Sequence, residues 1–179
     1  HERFMALVID TNADETVLFV PALDKDAAIQ DSDIAKIIPI SDQEEPFEVV
    51  KNTIGSMAKS VGIEAKVLSY YRYNSLLSFF PQVEVVDVQP FINTQRMKKS
   101  KEEIAHLRKA IEIIEKVLAE GIKKVEIGMT EAELTAELEF LMRKFGADAP
   151  SFSTIVLAGE KAALPHGSPG ERKIQIGDY

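Results

Sequence analysis

Hydrophobic residues in the first half of the chain alternate between short apolar runs and amphipathic stretches. The runs predict strands at residues 3–9, 16–20, 35–40, 65–68 and 83–88, and the amphipathic stretches predict helices at residues 24–30, 46–60 and 74–80. The polar residues 10–14 separate the first two strands and predict a hairpin. Strands that alternate with helices are typical of a mixed sheet covered by helices.

The second half begins with a different pattern. Ser100 and Glu103 have the spacing of a capping box, and apolar residues then recur every three or four positions from residue 104 to residue 125. This predicts a long amphipathic helix. Gly121 interrupts the stripe, which favours packing onto a sheet over a coiled coil.

Thr130 and Glu133 form a second capping box, and Gly146 stands where the helix that follows would end. Two apolar runs, residues 152–157 and 173–176, predict strands on either side of a loop rich in glycine and proline, residues 159–170.

Charge is distributed unevenly along the chain. Residues 1–95 hold 7 Lys and Arg against 15 Asp and Glu, whereas residues 96–179 hold 14 of each. An acidic first half repels a phosphate backbone, so we expect no nucleic-acid partner.

No run approaches the roughly 18 apolar residues of a membrane span. The chain has no cysteine, which fits the cytoplasm and leaves only His, Asp and Glu as ligands for a metal.

Of the three histidines, His166 is the candidate for chemistry. It lies between Pro165 and Gly167 in the loop, where a constrained backbone allows a ligand to approach closely. The alternative is a simple turn residue. His1 at the chain end and His106 on the polar side of the long helix are not expected to function.

Other types of site are disfavoured by spacing. The chain has no phosphate-binding glycine loop and no histidine pair at helical ligand spacing, and no carboxylate is placed to complete a serine triad near His166. The glutamates at positions 131, 133, 137 and 139 are predicted to lie on the outer face of the second helix.

Several short motifs of residues 96–179 resemble the first half of the pita-bread fold shared by methionine aminopeptidases, aminopeptidase P, prolidases and creatinase. They are Arg96, Met97 and Lys98 before Glu102, Glu103 and Ile104; Gly128, Met129, Thr130 and Glu131; Phe145, Gly146 and Ala147; Ser151, Phe152, Ser153, Thr154 and Ile155; and Pro165, His166 and Gly167 with Gly177 and Asp178. Residues 1–95 resemble the amino-terminal domain of the prolidase, aminopeptidase P and creatinase branch, which the methionine enzymes lack.

The resemblance implies an α/β plus α+β chain: a creatinase/prolidase-type amino-terminal domain, residues 1–95, then the first half of a pita-bread catalytic domain, residues 96–179. Residues 3–9 look like an internal strand of the first domain. We therefore expect both ends of the chain to be cuts through a longer protein.

The resemblance also implies hydrolysis of Xaa-Pro dipeptides or of amino-terminal Xaa-Pro bonds by a two-metal-activated hydroxide. The histidine matching His166 contacts the substrate or the tetrahedral intermediate and is not a metal ligand. The family's five ligands lie beyond Tyr179, so none is expected here, and Asp178 is read as a turn residue. Manganese is the first candidate for the two metal ions of the full-length protein, and cobalt and zinc are the alternatives. We expect a homodimer, and we expect the 179-residue chain alone to be inactive.

The sequence leaves two alternatives to a peptidase open. A creatinase-like hydrolase would use the loop histidine as acid and base without metal. A non-catalytic relative would bind peptides or proteins. A third possibility is that the amino-terminal domain acts mainly in assembly.

Overall fold

The computed structural model describes residues 3–55 and 59–179. The chain divides into two compact units, His1–Met97 and Lys98–Tyr179.

Three strands of the first unit form a mixed sheet. They are β1 (Ala6–Asp10), β2 (Glu15–Pro21) and β3 (Lys36–Ile40), with β1 antiparallel and β3 parallel to the central β2. A short 3₁₀ helix (Ala22–Asp24) and α1 (Lys25–Asp31) connect β2 to β3, because parallel neighbours need a crossover. The mixed sheet predicted from the alternating pattern is confirmed.

The predicted hairpin joins β1 to β2. The carboxylate of Asp10 accepts hydrogen bonds from the N–H groups of Asn12 and Ala13 at 2.9 and 3.1 Å. Asp14 adopts the left-handed conformation, with φ at 52°. Short polar side chains bond to nearby backbone and tolerate this conformation, which explains why the chain turns here.

The rest of the first unit consists of helices and a second, two-stranded sheet. In chain order these are α2 (Pro46–Ile54), β4 (Ser60–Ile63), α3 (Tyr70–Phe79), β5 (Glu84–Asp87) and α4 (Gln89–Met97), with β4 and β5 parallel. The buried core combines side chains of the first sheet with side chains from α2 and the α3 region: Val17, Phe19, Ile40, Phe47, Val50, Leu76 and Phe80. The two helices therefore cover the sheet with their apolar sides.

Two predictions for this unit were wrong. Residues 65–68 form a turn instead of a strand, since the N–H groups of Val67 and Leu68 both bond to the carbonyl of Glu64 at 2.9 Å. The helix predicted over residues 46–60 ends at Ile54, because Gly55 leaves the helical conformation with φ at 81°. Residues 56–58 of that prediction lie outside the described residues.

Two helices organise the second unit, and both begin where the sequence predicted. They are α5 (Lys101–Gly121), followed by a 3₁₀ turn (Ile122–Lys124), and α6 (Glu131–Lys144). Each has a complete capping box, made by Ser100 with Glu103 and by Thr130 with Glu133. Past the end of α6, Gly146 has φ at 98°, as expected of a glycine that terminates a helix.

The packing of α5 differs from the prediction. Its buried residues are Val117 and Gly121, and Gly121 lies directly against Leu138 of α6. Large apolar residues of the predicted stripe are exposed; Leu107 and Ile111, for example, expose 52% and 54% of their surface. Within the described parts of the chain, α5 packs on a helix and not on a sheet.

The strands predicted at residues 152–157 and 173–176 are not present in the described structure. A strand exists only when a neighbour pairs with it, and the pairing seen here is a single bridge between Thr130 and Lys173. Residues 153–157 have no regular secondary structure, and a 3₁₀ helix (Gly159–Ala163) follows them. No helix in the described residues is long and apolar enough to cross a bilayer.

Candidate functional site

His166 occupies the tip of a tight turn. The N–H of Gly167 points to the carbonyl of Leu164 at 3.4 Å, which leaves Pro165 and His166 as the two central residues. Proline fixes the backbone angle that the first of these positions requires. The histidine is exposed, so its ring is free to meet a ligand.

Gly167 allows the turn to pack closely on the preceding segment. A Cβ atom at this position would lie 2.7 Å from Cδ1 and 3.1 Å from Cδ2 of Leu157. Real Cβ atoms do not approach carbon so closely. Glycine therefore leaves Leu157 and the turn undisturbed, whereas any larger residue here would force one of them to shift.

A fully buried carboxylate, that of Glu131, lies beneath the loop. It accepts hydrogen bonds from the N–H of Ala158 at 2.9 Å and from the N–H of Gly170 at 3.1 Å, and it forms an ion pair with the ammonium group of Lys161. Burial alone would raise the pKa of the Glu131 carboxyl, but Lys161 and the two backbone donors outweigh it and hold the pKa below the ordinary 4.5.

The prediction that Glu131 lies on the outer face of its helix was therefore wrong. The capping box accounts for Glu133, but Glu131 is the first residue of α6, and helical side chains tilt toward the amino-terminal end. There it meets two segments that are far away in sequence. Helical spacing carries no signal that would distinguish it from its neighbours.

Lys161 links the buried carboxylate to the far side of the loop. Its ammonium group donates a second hydrogen bond, to the carbonyl of Ser168 at 3.1 Å. Its side chain is 29% exposed, so the cation keeps some contact with water. The segment from Ala158 to Gly170 is thus held at its start, its middle and its end by one ion pair.

The chain after the loop runs alongside the start of α6. The N–H groups of Glu131 and Ala132 donate to the carbonyls of Arg172 and Gly170 at 3.0 and 3.1 Å. Ile174 completes the pairing, since its carbonyl accepts from Gly128 and its N–H donates to Met129, both at 2.8 Å. First-turn N–H groups of a helix lack intrahelical partners, and this segment supplies them.

A second charge cluster centres on Arg172. Its guanidinium bonds to both carboxylate oxygens of Asp178, at 2.6 and 3.0 Å, and to Glu160 at 2.9 to 3.1 Å. Asp178 and then Glu160 raise the pKa of Arg172, and the guanidinium lowers the pKa of Asp178 below 3.8. Asp178 also accepts from the N–H of Gln175 at 2.8 Å, an arrangement that suits the turn role expected of it.

The described residues do not fit a metal centre. They contain no group of three His, Asp or Glu side chains that could hold an ion. The carboxylates nearest the loop, Glu131, Glu160 and Asp178, already bind Lys161 or Arg172.

Comparison with family models agrees with this architecture. Residues 1–98 match the creatinase/prolidase N-terminal domain, and residues 105–179 match metallopeptidase family M24. The folds and their order define the class: an α/β amino-terminal domain followed by part of a pita-bread domain. The chain belongs to the creatinase/prolidase family.

Individual relatives extend over the whole chain. An uncharacterized peptidase of Staphylococcus aureus is 34% identical over 179 residues, 100% of this chain and 50% of the relative. Among solved structures, the X-Pro aminopeptidase of Thermotoga maritima has a TM-score of 0.88 at 29% identity, covering 98% of this chain and 48% of that one. The prolidase of Pyrococcus furiosus has a TM-score of 0.83 at 30% identity, covering 96% and 51%. The chain thus spans about half the length of the curated relatives it matches.

Proposed function

We propose that the complete product of this gene is a peptidase that hydrolyses Xaa-Pro dipeptides or amino-terminal Xaa-Pro bonds, and that this chain contributes His166 to the reaction. The observation that carries the proposal is an exposed imidazole on a turn that is braced by the buried Glu131 carboxylate and its ion pair with Lys161. The family match and the prolidase and X-Pro aminopeptidase neighbours support the class of substrate.

The role of His166 follows from what imidazole can do near neutral pH. It can donate a hydrogen bond to the carbonyl oxygen as that oxygen gains negative charge, and it can carry a proton. In the overall hydrolysis the C–N bond to proline breaks, the hydroxyl of water bonds to the carbonyl carbon and a proton goes to the proline nitrogen. Two divalent ions of the complete protein would supply the nucleophile, and manganese is the first candidate, ahead of cobalt and zinc.

The test is a comparison of two histidine variants of the full-length gene product. His166→Asn should lower kcat/KM for an Xaa-Pro dipeptide with manganese by roughly 10²- to 10⁴-fold, the usual contribution of a positioned acid or base. His106→Asn is the matched control, because His106 is exposed on α5 and should not affect turnover. Wild-type activity in His166→Asn would refute the role of the loop histidine.

Two further measurements on the full-length protein separate the alternatives. Hydrolysis of creatine that survives a chelator would favour creatinase-like chemistry, and peptide binding without turnover would favour a non-catalytic relative. We also propose that the 179-residue chain alone is inactive, so turnover above background by this chain would contradict us. The homodimer is tested by light scattering on the full-length protein, where a strict monomer would count against it.

A further inference from the structure

One buried carboxylate holds both ends of the loop that carries His166. Glu131 bonds to the N–H of Ala158, eight residues before the histidine, and to the N–H of Gly170, four residues after it. A flexible loop stays in one conformation only when contacts offset its lost entropy. Here the two contacts made by the ends of the loop, at Ala158 and Gly170, converge on one side chain.

The capping of α6 does not explain this arrangement. Thr130 and Glu133 complete the capping box by themselves, with hydrogen bonds of 2.7 Å from the N–H of Thr130 and 3.1 Å from the N–H of Glu133. Burial of a charged carboxylate is unfavourable unless it is paired and hydrogen-bonded. Glu131 meets that condition only through the loop and Lys161, so its contacts serve the loop.

Lys161 extends the hold to the residues next to the histidine. It bonds to Glu131 and to the carbonyl of Ser168, two residues after His166. We propose that Glu131, acting with Lys161, is a positioning residue that fixes the place of the His166 imidazole for the reaction. This inference rests on the proposed function of His166.

Two substitutions in the full-length protein test it. Glu131→Gln keeps the shape of the side chain but removes the charge that binds Lys161, and Lys161→Met removes the ammonium and keeps the stem. Each should lower kcat by roughly 10- to 100-fold, the cost of displacing a catalytic group by about 1 Å. Each should leave KM within about threefold of wild type and alter the pH profile of kcat. If one variant fails to fold, the other decides.

Glu133→Gln is the matched control. It lies on the same turn of α6 and weakens the capping box, but its carboxylate bonds to Thr130 and not to the loop. It should lower thermal stability and leave kcat and the pH profile unchanged. An equal loss of kcat in Glu131→Gln and Glu133→Gln would overturn the proposal, since both would then act through the stability of the helix.

A double-mutant cycle separates positioning from a general structural effect. In a His166→Asn background Glu131→Gln should have no further effect on kcat, because the group that it positions is gone. A further loss of the same size would refute the inference. Full activity in His166→Asn alone would instead refute the proposed function.

Hydrogen–deuterium exchange gives a readout that needs no activity. The peptide covering residues 158–170 should exchange at least tenfold faster in Glu131→Gln than in wild type or Glu133→Gln, since its anchored amides become free to open. Unchanged exchange would overturn the positioning role. The exchange measurement can be made even if the wild-type protein has no peptidase activity. In that case faster exchange in Glu131→Gln would still show that Glu131 holds the loop, and only the proposed function would fail.

Discussion

Replacing Gly167 with alanine would push a methyl group into Leu157. The new Cβ would lie 2.7 Å from Cδ1 and 3.1 Å from Cδ2 of that leucine, and 3.4 Å from Cβ of Leu164. The first two distances are too short, so the leucine must leave its rotamer or the turn must move. An off-rotamer side chain costs about 0.5 to 1.5 kcal/mol, and overpacking costs about 1 to 3 kcal/mol.

A gain partly offsets this cost. The backbone of Gly167 is not in the left-handed region, so alanine can adopt its conformation. Alanine also lowers the conformational entropy of the unfolded chain, which stabilises the folded state by about 0.4 to 1 kcal/mol. We expect a net loss of about 1 kcal/mol in the free energy of unfolding, measured by urea denaturation. Movement of the turn would displace His166, so kcat/KM should fall by roughly 10-fold or more.

Rescue and control variants make the prediction specific. Leu157→Val removes both Cδ atoms, so the double variant with Gly167→Ala should recover most of the lost activity. Leu157→Val alone is the control, because it removes the same two Cδ atoms without adding a methyl group at position 167. Wild-type activity in Gly167→Ala, or no recovery in the double variant, would refute the steric reasoning.

Two further predictions concern stability. Thr130→Ala removes the hydroxyl that accepts from the N–H of Glu133 and should cost about 1 kcal/mol in the free energy of unfolding by urea; an unchanged midpoint would contradict it. The lowered pKa of Asp178 predicts that acid destabilises the protein. The ionised carboxylate contributes fully to the free energy of unfolding above the unfolded-state pKa near 3.8, and this contribution is lost as the pH falls through the lower pKa of the folded state. The melting temperature should therefore fall less between pH 6 and pH 2 in Asp178→Asn than in the wild type. Identical pH profiles of the two proteins would exclude this role for the pair with Arg172.

Local signals predicted the parts of the fold that local chemistry determines. The cap residues Ser100 and Thr130 marked the starts of α5 and α6, and Gly146 marked an end, because each acts within one helical turn. Turn formers after Asp10 marked the hairpin for the same reason. The turn at His166 was also suggested by its own neighbours, Pro165 and Gly167.

Features that depend on distant residues could not be read in this way. The apolar runs at residues 65–68 and 152–157 look like strands, but a strand forms only where another strand pairs with it. Glu131 bonds to residues 27, 30 and 39 positions away, so helical spacing placed it wrongly on the surface. The helix α4 was not anticipated either. The catalytic role of His166 stays a prediction.

The buried pair of Glu131 and Lys161 constrains how this protein can change over evolution. Losing Lys161 would leave the fully buried Glu131 carboxylate without its counter-charge, and losing Glu131 would leave the partly exposed Lys161 ammonium without its partner. A substitution at one of the two positions should therefore lower the stability of the protein and be selected against. Replacement of the pair should require changes at both positions. Two sites separated by 30 residues of sequence are thus coupled in their effect on stability.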